Sequence, residues 1–81
     1  MKLEAAITQR IYDLCRQFDI TPNKLTTMAG VPGSTLTSIF YGKSKNPGTR
    51  TLLELCQALN ITLFDFFNDP LFKTDDLEES D

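Results

Sequence analysis

The sequence predicts an all-α protein, a compact bundle of about five short helices. Three observations predict it. Apolar residues recur at helical spacing, as in Leu3, Ile7, Ile11, Leu14 and Phe18, separated by four, four, three and four positions. The segments marked in this way are divided by Gly, Pro, Asn and Thr where helices stop and start. No window alternates apolar and polar residues well enough to make a strand.

The first helix runs from residue 2 to about 18. Glu4 near its start and Arg16 near its end suit the helix dipole, and no Pro or Gly interrupts it. Asp19-Ile20 is a short connection. Thr21 then caps a second helix with Pro22 at its first position, and Leu25, Met28 and Ala29 are expected to face inward. Gly30-Val31-Pro32 is a tight turn: Gly30 can take φ > 0 without a Cβ clash, and Pro32 cannot continue the helix behind it but suits the start of the next. A third helix, from Gly33 to Tyr41, carries Leu36, Ile39 and Phe40 on one side. Its other side is Ser34, Thr35, Thr37 and Ser38, small uncharged hydroxyls where a merely soluble helix would more usually carry Lys or Glu. Gly42 ends it, and Lys43 to Gly48 form a loop by composition.

Thr49 is expected to cap a fourth helix, from Arg50 to Leu59, with Leu52, Leu53, Leu55, Cys56 and Leu59 as a broad apolar face. Asn60 is a suitable left-handed terminator. Thr62 caps a last short helix from Leu63 to about Asn68, with Phe64, Phe66 and Phe67, and Asp69-Pro70 stops it. The folded domain is therefore expected over residues 1–70, followed by an acidic tail at 71–81 whose composition predicts disorder.

Composition narrows the function classes. The chain has 81 residues, room for one small core, and no apolar run long enough for a membrane span. The first residues lack the apolar core of a signal peptide, so a cytoplasmic, reduced location is expected, with Cys15 and Cys56 as buried free thiols. Without histidine, and with two cysteines far apart, neither a metal nor a cofactor is expected. An enzyme is not expected either: there is no Gly-rich phosphate loop and no nucleophile–base pair. Net charge is −3, but it is unevenly spread. Residues 1–50 carry seven basic and three acidic side chains, while residues 51–81 carry one and eight. That asymmetry points to a basic working face and an acidic tail. Arg10, Arg16 and Arg50 read as general surface charge, and Lys24 as either that or a phosphate contact.

Several stretches together resemble the phage repressor and Cro-like (XRE) helix-turn-helix family of bacterial and phage regulators. They are Thr21-Pro22-Asn23-Lys24-Leu25, Gly30-Val31-Pro32, Ser34-Thr35-Leu36, Ile39, Gly42 to Pro47, Thr51-Leu52-Leu53, Leu55 to Leu59 and Ile61 to Phe67. The resemblance covers about residues 7–68 and implies a lambda-repressor-like domain that binds double-stranded DNA and regulates transcription. It implies that the helix from Gly33 lies in the major groove, where base edges carry a distinguishable donor and acceptor pattern. Gly33, Ser34 and Ser38, with Thr35 and Thr37 beside them, stand where the family reads bases. Tyr41, Lys43, Ser44, Lys45 and Asn46 match its phosphate-contacting loop.

The chain departs from the family pattern in three places. Many relatives have Gln where Pro22 stands, so that backbone anchor is lost or moves to Thr21 or Asn23. The reading face lacks Arg, Gln and Asn for bidentate base contacts, which leaves more to DNA shape. A buried Arg–Glu pair of many relatives is replaced by Cys15 and Phe40. Losing one ionic partner alone would cost about 3–5 kcal/mol, whereas replacing both can be neutral, so Cys15 and Phe40 are expected to touch. Phe66, Phe67, Leu71 and Phe72 are candidates for a homodimer face. The competing reading is a protein-interaction module of antitoxin or anti-repressor type on the same fold, supported by the acidic total charge, Pro22 and the weak base-reading face.

Overall fold

The structure is a computed structural model and describes residues 2–35 and 48–73. Helix α1 spans Leu3–Gln17, with Glu4 in its first turn and Arg16 in its last. Ile7, Ile11, Leu14 and Cys15 are buried along the expected stripe, but its two ends, Leu3 and Phe18, are exposed. Helix α2 spans Pro22–Ala29, helix α3 Thr49–Ala58 and helix α4 Leu63–Phe67, followed by a 3-10 turn, η1, at Pro70–Phe72. Residues 33–35 are also helical. No strand occurs among the described residues.

Three of the described helix ends share one construction. At the end of α1, Asp19 N–H donates to the Arg16 carbonyl at 3.2 Å and Ile20 N–H to that of Cys15 at 2.9 Å. At the end of α2, Gly30 N–H donates to Thr27 at 3.3 Å and Val31 N–H to Thr26 at 3.1 Å. At the end of α3, Asn60 N–H donates to Gln57 at 3.1 Å and Ile61 N–H to Cys56 at 3.0 Å. Each is a Schellman motif, in which two amides past the helix take up carbonyls that would otherwise be orphaned. The motif needs a left-handed residue, and Asp19, Gly30 and Asn60 supply it at φ 55°, 69° and 58°. A β-branched aliphatic follows each time. Val31 lies in the core, and Ile20 and Ile61 pack against it.

Ile7, Ile11, Leu14, Cys15, Leu25, Val31, Leu52, Leu55, Cys56, Leu59 and Phe66 form one buried cluster. Helix α2 packs on α1 and α3, α4 packs on α3, and η1 packs on α1. Two expectations at the helix faces and one at a helix cap are corrected. Met28 is 45 % exposed, and the inward position on α2 goes to Thr26, whose hydroxyl donates to the Asn23 carbonyl at 2.7 Å and so can be buried. Leu53 faces solvent on α3, because the apolar stripe of that helix, Leu52, Leu55, Cys56 and Leu59, is narrower than its leucine content suggests. Gly48, not Thr49, is the N-cap of α3; Thr49 is already helical and gives no side-chain cap. By contrast, Thr21 and Thr62 cap α2 and α4 as expected, and Thr62 forms a reciprocal capping box with Asp65.

The aromatic end is ordered around one ring. Phe66 is 1 % exposed, with Phe67 edge-on at 4.9 Å between centroids and Phe72 tilted at 6.2 Å. Phe66 is therefore a core residue and is removed from the candidate dimer face. Helical structure reaches Phe72, which packs against the core. No helix among the described residues is long and apolar enough to cross a membrane.

Candidate nucleic-acid interface

The candidate interface is built on α2 and the helical segment that follows it. Thr21 is extended, at φ −86° and ψ 158°, so its Oγ1 accepts the Lys24 N–H at 3.1 Å. That bond satisfies one of the donors a helix start leaves over. Among the described residues no acceptor takes its hydroxyl hydrogen. Pro22 has no N–H to give, so Asn23 is the first residue of α2 with an amide to offer, at a position that has no intrahelical acceptor. Thr21, Asn23 and Lys24 are all exposed. The Asn23 carbonyl is taken up inside the helix by the hydroxyls of Thr26 and Thr27, at 2.7 and 3.1 Å.

At the other end of α2, Gly30 turns the chain. An added Cβ would meet nothing within 4 Å there, so the need for glycine comes from its φ of 69° and not from crowding. Pro32 breaks the helical run, and its carbonyl then accepts the Thr35 N–H at 3.0 Å, so helical structure resumes at once. Gly33 and Ser34 are exposed on that first turn and Thr35 is half-buried. An added Cβ at Gly33 would also meet nothing within 4 Å.

Of the expected base-reading set, Gly33, Ser34 and Thr35 fall within the described residues; Thr37 and Ser38 lie outside them. Of the expected phosphate set, Thr21 and Asn23 are described, while Tyr41, Lys43, Ser44, Lys45 and Asn46 lie outside. The expected contact of Cys15 with Phe40 lies outside as well, on the Phe40 side. Burial raises the thiol pKa of both Cys15 and Cys56, and neither is in a disulfide. Among the described residues no group of three or more His, Cys, Asp or Glu could hold a metal ion.

The charge map is corrected at Arg10. Its side chain is only 11 % exposed. Nε donates to the Phe66 carbonyl at 2.7 Å, Nη2 to the Asp65 carbonyl at 2.8 Å, and Nη1 to Asp69 Oδ2 at 3.2 Å. The guanidinium thus caps the C-terminal end of α4, where the last carbonyls lack intrahelical partners and the helix dipole is negative. One signal in the sequence marks Arg10 out: at 100° per residue it falls on the flank of the Ile7, Ile11 and Leu14 stripe. Arg16 reaches Asp13 at 3.4 Å on an open surface, while Lys24 and Arg50 are exposed.

The family model of the Cro/C1-type HTH DNA-binding domain matches residues 5–70. Among solved structures, the chain is similar to one described as "Crystal structure of the prophage Lp1 protein 11". The TM-score is 0.82 at 32% sequence identity, and the match covers 91% of this chain and 99% of that chain. No curated protein matches.

Proposed function

Because the chain belongs to the Cro/C1-type HTH DNA-binding domain family, we propose that it is a sequence-specific transcriptional regulator that sets the helix beginning at Gly33 into the major groove. One observation carries this reading. Immediately past the Gly30 turn, helical structure resumes with Gly33 and Ser34 exposed at its start, while Thr21 and Asn23 are exposed at the start of the helix before it. This suits the division of labour in such complexes, where one helix end meets base edges and another meets phosphate.

The residues divide accordingly. Gly33 and Ser34, with Thr35, Thr37 and Ser38, read bases. Thr21 donates its hydroxyl, and Asn23 its backbone N–H and side-chain amide, to backbone phosphate. These contacts take the place of those that Pro22 cannot make. Tyr41, Lys43, Ser44, Lys45 and Asn46 hold the phosphates further along. Hydroxyls distinguish bases less sharply than bidentate side chains do, so preference for one site over another is modest and depends on DNA shape. The protein pairs with a second copy through Phe67, Leu71 and Phe72, with Phe66 left to the core.

Selection of bound sites from random duplex DNA tests all of this. A recurring motif is expected, and half-sites about 34 Å apart report the dimer. Affinity should fall steeply with salt, and Lys43→Ala with Lys45→Ala should lower the slope of log affinity against log salt by about 2. A pair substitution that leaves both affinity and slope unchanged would remove the loop from the interface. The interaction-module reading is favoured by the net charge of −3 and by Arg10 being occupied internally, which takes one cation from the surface. Absence of any retention on duplex DNA at low salt would decide for it.

A further inference from the structure

We propose that α4 and η1 together form a latch, held shut by Arg10 and hinged at Asn60–Ile61, which opens as a unit and uncovers Cys56 while the rest of the core stays folded. The segment is poorly equipped to stand alone. Helix α4 has five residues, far below the length at which a helix persists unaided. Its outer face is apolar and partly open, with Phe64 74 % exposed and Leu63 and Phe67 each 37 % exposed. Among the described residues, its attachment to the body is made by the Phe66 ring in the core, the partly buried Ile61 and Phe72, and the Arg10 guanidinium. That guanidinium reaches α4 at two carbonyls and the α4–η1 junction at Asp69, so one side chain ties both halves of the segment to α1.

Cys56 lies under this segment. It is fully buried, shares the core cluster with Phe66, and its carbonyl receives the Ile61 N–H at the hinge. Its thiol also feels the charges of Arg10 and Asp65, the two residues joined across the latch. Cys15 is also buried, but it lies on α1 and its carbonyl receives the Ile20 N–H at the α1 corner, away from the hinge. The hinge itself is a left-handed asparagine followed by one aliphatic residue and the Thr62 cap. Opening therefore breaks the Arg10 contacts and withdraws Phe66, and it leaves the packing of α1, α2 and α3 in place. Segments with few buried contacts open at lower free energy than the whole molecule.

The test labels both thiols of the full chain with N-ethylmaleimide under native conditions, across urea concentrations below the unfolding transition, and reads each cysteine by mass. Cys56 is expected to react faster than Cys15, with a shallower urea dependence. Its opening equilibrium should match that from hydrogen exchange of the Phe66 and Asn68 amides, which donate to Thr62 and Phe64. Arg10→Met and Asp69→Asn should raise the Cys56 rate about ten-fold or more, as expected for losing bonds to a charged group, with a much smaller change at Cys15. If Arg10→Met does not fold, the wild-type urea series and Asp69→Asn decide the matter. Equal rates and equal urea slopes at the two cysteines, Cys15 reacting faster, or variants that accelerate both alike would overturn the latch.

Discussion

Asp19, Gly30 and Asn60 occupy the same left-handed backbone region at the same place in three helix ends, yet they pay differently for it. Glycine adopts that region freely. A residue with a Cβ is strained there, Asn and Asp least of all because their short polar side chains bond locally. Gly30→Ala should therefore destabilise the fold by about 1–2 kcal/mol, although open space surrounds the position. Asn60→Gly and Asp19→Gly run the other way and should each gain about 0.5 kcal/mol, since relief of strain outweighs the added freedom of the unfolded chain. Urea midpoints that move in these opposite directions at constant slope check both. Gly30 and Asn60 are legible as helix stops from their residue types. Asp19 is not, because an aspartate after a helix reads equally well as any surface connection, and its φ is imposed by Ile20 having to reach the core.

At the scale of one element, α4 shows how a helix of five residues is kept. Thr62 and Asp65 satisfy two donors at its start: Thr62 N–H donates to Asp65 Oδ2 at 2.9 Å, and Asp65 N–H donates to Thr62 Oγ1 at 3.0 Å. Arg10 satisfies carbonyls at its end. The hydrogen bond donated by the Thr62 backbone N–H, then the one from the Thr62 hydroxyl, hold the Asp65 carboxyl pKa below its ordinary value. A carboxylate with a depressed folded pKa contributes stability above its unfolded pKa, and that contribution is lost as pH falls through the folded value. Hydrogen exchange across residues 63–68 should therefore quicken as pH drops below about 4, after correction for the intrinsic rate. Asp65→Asn should lack that acid dependence. The start of this helix is readable in the sequence because Thr62 and Asp65 are three apart and act locally. Its end is not, because the residue that finishes it is 55 to 56 positions away. A local reading assigns an arginine on a helix flank to the surface.

For the whole molecule, the helical fold and the positions of its corners follow from apolar spacing and stop residues. What spacing misjudged were faces: Met28 and Leu53 carry apolar side chains to solvent, while Thr26 goes inside with its hydroxyl bonded. Periodicity counts residue types, whereas burial depends on how wide a stripe the neighbouring helices cover. The places of four residues of the candidate interface were legible for another reason. Thr21, Asn23, Gly33 and Ser34 sit at helix starts, where residue type and exposure both follow from position.

The contrast between corners and clamp also sets an order of events in time. Each corner closes hydrogen bonds across three to five residues, whereas the bonds of Arg10 close loops of 55 to 59. Local closures are fast, and topologies rich in them fold in microseconds to milliseconds. The long loop is expected to form after the helices have met, so Arg10 should contribute little to the rate-limiting barrier. In stopped-flow or temperature-jump experiments, Arg10→Met should leave the refolding rate nearly unchanged and place its whole effect on the unfolding limb, a φ-value near zero. A refolding rate that falls along with stability would place the two ends of the chain together early instead.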